Sequence, residues 1–366
     1  MKNLIVGQSG GPTAVINSSL YGVIREGFNR SEEIEHVYGM INGIQGFLDG
    51  RFMDMKELDN DTLEALRTTP GAYLGSCRFK LPDDLNDAIY PLLFQKFEEM
   101  NIGYFFYIGG NDSMDTVSKL SRYAAAHNID VRIMGIPKTI DNDLSCTDWT
   151  FGFDTASNIA MEEIDRLHTT AESHERCFVV ECMGRHTGWI TLQAGVAANA
   201  HLVLIPEFPM SFDEIYDLVR SRYLRGERYT IIAVAEGFEL TGEKLEELER
   251  DMFGNVLLLH RELARHLADR IEKAIRSDET LDKRREHFEA RSVVLGHLQR
   301  GGAPSAFDRM LGTRMGVKAG DLVVSGEYGN MVSLRGTEIA VADLDRAVTE
   351  RKKVGKELYD VATLFY

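Results

Sequence analysis

Short apolar runs that end in glycine, proline or aspartate recur along this chain, each followed by an amphipathic stretch. "NLIVGQ" meets "SGG" and then "AVINSSLYGVIREGF", which has a helical period. "HVYGMI" follows, then "GYFFYIGG" ahead of the helical "SMDTVSKLSRYAAAHN", then "RIMGIP". The alternation predicts βαβ units and a parallel sheet covered on both faces. After Thr150 the pattern restarts. "FDTASNIAMEEIDRLHTTAESH" reads as a helix, with Asp154, Thr155 or Ser157 as its cap. The runs "CFVVECMG", "LVLIPE", "TIIAVAEG" and "SVVLGH" read as strands, and Leu245 to Arg276 as a long helical segment. The expected class is α/β, with two domains, a cleft between them, and more than one chain crossing.

With 366 residues the chain is about two domains long. Its 41 basic against 57 acidic residues leave a net charge of −16, which excludes nucleic acid and anionic membranes as expected partners. An anionic substrate then needs locally gathered Arg and Lys. "MKNLIVGQSGG" does not read as a signal peptide, and no stretch approaches a membrane span. Cys77, Cys146, Cys177 and Cys182 show no zinc-ligand spacing and read as reduced thiols, so a cytoplasmic location is expected.

In open parallel sheets ligands bind beyond the carboxyl ends of the strands, and the unusual clusters here fall at such ends. "GQSGGPT" is either a tight turn or a cradle in which backbone N–H groups meet a phosphate. "IGGNDSMD" offers Asn111 and Asp112 at a strand tip, with Ser113 as a helix cap. That arrangement suits a polyphosphate with Mg²⁺, which takes few ligands from protein. "IPKTIDND" packs Lys138, Thr139, Asp141 and Asp143 together. Phosphoryl transfer to a hydroxyl needs a group to take its proton and cations to neutralise spreading charge. Asp141 or Asp143 supplies the base, the other lies nearer a metal, Thr139 bonds the transferred group and Lys138 supplies charge. The competing reading is an Asx-rich turn. Arg78 and Lys80 lie in "GSCRFK", Arg176 in "SHERCF", Arg185 and His186 in "ECMGRHTGW", Glu236 in "AEGFE", Arg291 in "RSVVLG", and His297 and Arg300 in "LGHLQRGG". So many basic residues beside glycine turns suit a multiply phosphorylated ligand.

Together these motifs resemble the 6-phosphofructokinases, over most of the chain and in that family's order: "GGPTAVIN", "GSCRFK", "GGNDS", "PKTIDND", "GFDTA", "ECMGRHTGW", "AEG" and "GHLQRGGAPSAFDR". The resemblance implies two three-layer αβα Rossmann-like domains with the active site in the cleft. The phosphoryl-donor domain is expected over 1–152 plus about 299–345, and the fructose 6-phosphate domain over about 153–298 plus the segment to 366. It implies that Asp141 takes the proton from the 1-hydroxyl of fructose 6-phosphate. Thr139 and Arg185 hold the transferring group, and Asp143 lies beside metal and sugar. Met183, Gly184, Glu236, His297 and Arg300 line the sugar-phosphate pocket. Arg176 and Arg291 reach the 6-phosphate, in many members from a neighbouring subunit, so a homodimer or homotetramer is expected. Gly11, Arg78 and Lys80 face the donor, and Mg²⁺ is the expected cofactor, near Asn111 and Asp143.

Members of the family that use ATP typically read G-G-D-G-S and P-G-T-I-D-N-D. Asp112 and Lys138 stand here where those have glycine, which resembles the pyrophosphate-dependent branch. Their side chains fill the space a nucleotide needs, and Lys138 can pair with pyrophosphate oxygens. Asn111 departs from the family's usual acidic residue. His168 stands where bacterial ATP-using members carry an effector-binding Arg, which implies an enzyme without nucleoside-diphosphate control. The rival readings are an ATP-dependent phosphofructokinase, a non-catalytic sugar-phosphate sensor, and a dinucleotide oxidoreductase; the last lacks G-x-G-x-x-G after the first strand.

Overall fold

Parallel strands buried on both faces form the centre of each of two units. The computed structural model describes residues 1–242 and 261–366. By contact the chain divides into Met1–Thr155 with Arg300–Lys352, and Ala156–Gln299 with Lys353–Tyr366.

In the first unit the strands are β1 (Lys2–Gln8), β2 (Ile34–Met40), β3 (Phe52–Asp54), β4 (Ile102–Gly109), β5 (Arg132–Thr139) and β6 (Phe151–Gly152). The second unit holds β7 (Cys177–Cys182), β8 (Leu202–Leu204), β9 (Thr230–Ala235) and β10 (Ala290–Val294), and the chain then returns to the first for β11 (Asn330–Arg335) and β12 (Glu338–Ala342). The first sheet runs β12-β11-β5-β4-β1-β2-β3, with β6 beside β5. It is parallel except where β3 pairs with β2 and β12 with β11. Alternate residues divide between two cores. Leu4, Val6, Phe106 and Ile108 join the helices Ile16–Asn29 and Ala306–Ser325 on one face. Ile5, Phe105 and Tyr107 meet Phe94 and Phe97 of the helix Ile89–Glu99 on the other. Each such buried side chain contributes about 1.5–3 kcal/mol.

The chain leaves β1 toward β2 and leaves β4 toward β5, although β1 and β4 are neighbours. Diverging connections open a crevice at the carboxyl ends of the strands, and the turns after β1 and β4 border it. β5 extends past "RIMGIP" to include Lys138 and Thr139. Pro137 has no N–H to give. It falls where β11 has stopped pairing, at Gly135, and β6 has not begun, at Lys138.

The second sheet, β10-β7-β9-β8, is wholly parallel. Leu267 and Ile271 of the helix Leu263–Ser277, one turn apart, pack with Val179 and Val234. Gly195 of the helix Trp189–Ala197 lets that helix settle onto Val203 and Ala233 on the opposite face. Of the long helix expected over Leu245–Arg276, residues 245–260 lie outside the described residues, and Glu262, in the left-handed region at φ +45°, marks the start of the observed helix at Leu263. All four cysteines are free.

The expected caps are replaced. The helix Asn111–Ala126 begins at Gly110, and Ser113 sits inside it with its hydroxyl against Gly109. Asp154, Thr155 and Ser157 likewise lie inside the helix Phe153–His174. Asp154 accepts from Ser305 Oγ at 2.6 Å, and Thr155 gives its N–H to Asp308 at 2.8 Å. Local sequence offers several polar residues near a helix start, and tertiary partners decide which are used.

Helices Ile16–Asn29 and Ala306–Ser325 touch backbone to backbone. Gly312, Gly316 and Gly320 form a stripe, and a Cβ on Gly316 would collide with the Ser19 carbonyl oxygen. Gly316→Ala is therefore expected to lower stability by about 1–3 kcal/mol, the cost of overpacking, although alanine favours a helix. A denaturation midpoint equal to wild type would show that the helices can separate at no cost.

Candidate active site

In the first unit the turn after β1 is pinned by two loops. Gly10, at φ +78°, is in the left-handed region that suits glycine. Its N–H donates to the Cys77 carbonyl at 3.0 Å, and its own carbonyl accepts from Ser76 Oγ at 2.6 Å. "GSCRFK" is thereby joined to "GQSGGPT", and Arg78 is carried to the turn. Lys138 reaches up from the end of β5 and gives its ammonium to the Gly11 carbonyl at 2.6 Å. Arg300 lies against Gly11, where any Cβ would strike its guanidinium, and donates to the Pro12 carbonyl at 3.4 Å. The sequence reading puts Gly11 with the donor and Arg300 with the sugar phosphate; the structure brings the two together.

Lys138 is almost wholly buried, only 3% exposed. Burial, then the Arg300 guanidinium, push its ammonium down to about 7 against the pull of Asp141, with Arg78 adding to the depression. An anion bound here would restore the proton.

Beyond Thr139 the chain turns sharply. Asp141 gives its N–H to Thr139 Oγ1 at 3.1 Å, which leaves the threonine O–H to donate elsewhere. Asn142 takes φ +49°, tolerable for asparagine, and its side-chain carbonyl accepts from Thr150 N–H at 3.1 Å and Lys352 Nζ at 2.8 Å. Asp143 is buried, and its Oδ2 accepts from Asn111 Nδ2 and Arg351 Nη1, each at 2.9 Å. Burial raises its pKa, with Arg351 and Asn111 opposing. Asp112 is exposed in the first turn of the helix Asn111–Ala126, where a carboxylate suits the dipole and opposes a second anion. Arg78 and Lys80 are exposed.

Asp143 Oδ1 is buried without a hydrogen-bond partner among the described residues. No cluster of three His, Cys, Asp or Glu residues among them could hold a metal alone. The unpartnered carboxylate oxygen fits Mg²⁺, which takes oxygen ligands, few of them from protein and the rest from phosphate and water. Asp143 would hold it through that oxygen, and Asn111, whose amide N–H is given to Asp143, would have its amide oxygen left to offer.

In the second unit the carboxyl ends of β7, β9 and β10 converge. Glu236 N–H donates to the Cys182 carbonyl at 2.9 Å, and Gly237 N–H to the Gly184 carbonyl at 3.1 Å. Gly184, at φ +138°, has no room for a Cβ beside Thr187. Met183 N–H donates to Gln299 Oε1 at 3.2 Å. This brings Met183, Gly184, Arg185 and Glu236 toward the short 3-10 turn Gly296–Arg300, which carries an exposed His297. That turn replaces the end of the strand expected in "SVVLGH". Arg185 Nε is buried without a partner among the described residues. Arg176 and Arg291 both bind Glu289, at 2.6 and 3.1 Å. His168 donates through Nε2 to the Ala198 carbonyl at 2.7 Å, so Nδ1 is left to accept from Tyr229 at 3.1 Å.

Arg351, Lys352 and Glu289 escape the sequence reading. They carry no motif, and only their contacts with Asp143, Asn142 and the two arginines mark them.

Two mainly parallel sheets with glycine turns and basic side chains at their carboxyl ends are an arrangement of the kind that suits anionic ligands. Residues 3–323 match the phosphofructokinase family model. The chain belongs to the phosphofructokinase family. It is 40% identical over 364 residues to the ATP-dependent 6-phosphofructokinase of Mycobacterium tuberculosis, covering 98% of this chain and 97% of that one. It is also 40% identical over 365 residues to the pyrophosphate–fructose 6-phosphate 1-phosphotransferase of Amycolatopsis methanolica, with the same coverage of 98% and 97%. The solved pyrophosphate-dependent phosphofructokinase of Nitrosospira multiformis superposes with a TM-score of 0.83 at 29% identity, covering 97% of this chain and 86% of that one. No described helix is long and apolar enough to cross a membrane.

The depressed Lys138 pKa has a stability signature. Unfolded, the lysine holds its proton to about 10.5; folded, to about 7. Between these values the unfolded chain binds more protons, so this group's contribution rises with pH and is lost as pH falls toward 7. From pH 7 to pH 9, wild type should gain about 2 kcal/mol relative to Lys138→Met. Parallel stability curves by chemical denaturation would show that Lys138 does not carry a depressed pKa.

Proposed function

We propose that this protein reversibly transfers a phosphoryl group from pyrophosphate to the 1-hydroxyl of fructose 6-phosphate, giving fructose 1,6-bisphosphate and phosphate. The observation that carries the choice of donor is Lys138. Its side chain fills the space beside Gly10 and Gly11, and its ammonium lies on the Gly11 carbonyl. A nucleotide would need that room, whereas a short inorganic donor would exchange the carbonyl for its own oxygens. Asp112 supports the same reading, since its carboxylate occupies the helix N-terminus where a further phosphate would seek N–H donors. Relatives named for either donor are equally similar at 40% identity, so the ATP-dependent reading stands as the alternative.

In the proposed mechanism Asp141 accepts the proton of the attacking hydroxyl. Thr139 donates its free O–H to the transferring group, and Arg185 and Lys138 offset charge that grows in the transition state. Gly11, Arg78 and Lys80 surround the donor. Met183, Gly184, Glu236, His297 and Arg300 bind the sugar phosphate, with Arg300 lying also against Gly11. Arg176 and Arg291 exchange Glu289 for the 6-phosphate. Mg²⁺, when bound near Asp143 and Asn111, supplies further neutralisation of phosphoryl oxygens. The first unit is thus the donor domain and the second the sugar-phosphate domain. A cytoplasmic homodimer or homotetramer is the proposed active form.

Asp141→Asn is expected to lower turnover by roughly 10²–10⁴, the range for a lost general base, with Michaelis constants far less affected. Near-normal turnover in a folded variant would reject the assignment. The donor is tested by catalytic efficiencies with pyrophosphate and ATP in wild type, Asp112→Gly, Lys138→Gly and the double variant. Wild type should prefer pyrophosphate, and the double variant should gain ATP use while losing pyrophosphate use. A ratio constant within about threefold across the four, under 1 kcal/mol of discrimination, would mean these residues do not choose the donor.

A further inference from the structure

The turn that carries Asp141 and Asp143 is held from outside by two consecutive residues more than two hundred positions away. Arg351 pairs with Leu144 in an isolated antiparallel bridge, and Lys352 N–H donates to the Asp143 carbonyl at 2.9 Å. Backbone contact therefore fixes the register. The side chains then reach opposite parts of the turn. Arg351 Nη1 binds Asp143 Oδ2 at 2.9 Å. Lys352 Nζ binds Asn142 Oδ1 at 2.8 Å, the Thr147 carbonyl at 3.0 Å and the Asp148 carbonyl at 2.9 Å.

These contacts act on the part of the turn that needs support. Asn142 holds a left-handed backbone between the two aspartates, and its amide oxygen is the acceptor that Lys352 and Thr150 share. Asp143 is 4% exposed, and a buried carboxylate without a cation is costly. With Asn111 and Arg351 both on Oδ2, rotation of the carboxylate is blocked and Oδ1 is left without a hydrogen-bond partner. The Arg351 side chain is itself 44% exposed, so it can be changed without opening a cavity.

We propose that Arg351 is a positioning residue for phosphoryl transfer. It holds Asp143 in one orientation and, with Lys352, fixes the turn that aims Asp141. The inference rests on the proposed role of the Asp141–Asp143 turn.

The test is a double-mutant cycle with the donor that wild type uses, comparing wild type, Arg351→Met, Asp143→Asn and the double variant. Arg351→Met should lower kcat roughly 10- to 100-fold, as expected for a displaced catalytic group, while the Michaelis constant for the sugar changes less than about threefold. Arg351→Lys should recover part of the loss. In the Asp143→Asn background, Arg351→Met should cost less than about threefold more, because residues that act as one unit are not additive. Should Arg351→Met not fold, Arg351→Gln, which keeps an N–H donor but no charge, takes its place in the cycle. Full kcat in a folded Arg351 variant, or losses that multiply in the double variant, would overturn the positioning role while leaving the proposed reaction intact. Full kcat in Asp143→Asn would overturn the reading of the turn itself, and the positioning role with it.

Discussion

Burial of β1, β4 and β5 on both faces leaves their carboxyl ends as the place where polar chemistry can be exposed. Every residue of β4 is buried, as is β1 from Asn3 onward. The chain must turn as soon as it emerges, and it must turn in opposite directions after β1 and β4. The glycine turns at Gly10 and Gly110 follow from that constraint. Lys138 follows from it too, since it is the last buried residue of β5 and its side chain can only run along the strand tips to the Gly11 carbonyl.

What could be read from the sequence is what is written locally. An apolar strand, a glycine at its end and a long amphipathic helix are each written in consecutive residues. Accordingly β1, β4 and the helix Phe153–His174 fall where periodicity puts them. The caps at Ser113 and Asp154 went elsewhere because a polar side chain near a helix start has several partners available, and tertiary contact chooses. The glycine stripe at Gly312, Gly316 and Gly320 was invisible for another reason: glycine in a helix is locally unfavourable, and only a second helix explains it. Arg351 and Glu289 were missed because a salt bridge between distant residues leaves no period in either segment.

Overall identity does not carry the choice of donor. Forty per cent identity to relatives named for ATP and for pyrophosphate alike describes the shared sheets and turns. A donor is distinguished by volume and charge at a few atoms, and such differences change identity by a residue or two. On the proposed reading Lys138 is one such residue, and its burial supports that reading, because a merely structural role could be filled by methionine or leucine without burying an ammonium.

A chain with a net charge of −16 that binds phosphorylated ligands must also hold its cations together when no ligand is present. The two units meet this requirement differently. Arg176 and Arg291 share the Glu289 carboxylate, so on the proposed reading a 6-phosphate must displace an anion already in place. Exchange of one anion for another at a partly exposed site is sensitive to ionic strength. Around Gly11, Lys138 stands near Arg300 and Arg78, and burial lowers the lysine's hold on its proton to near neutrality. There the repulsion is relieved by release of a proton, so binding of an anionic donor would be accompanied by proton uptake. On the proposed reading, the partly exposed arginines of the 6-phosphate site answer to salt and the buried Lys138 to pH, because the first pair stays in contact with solvent and Lys138 does not.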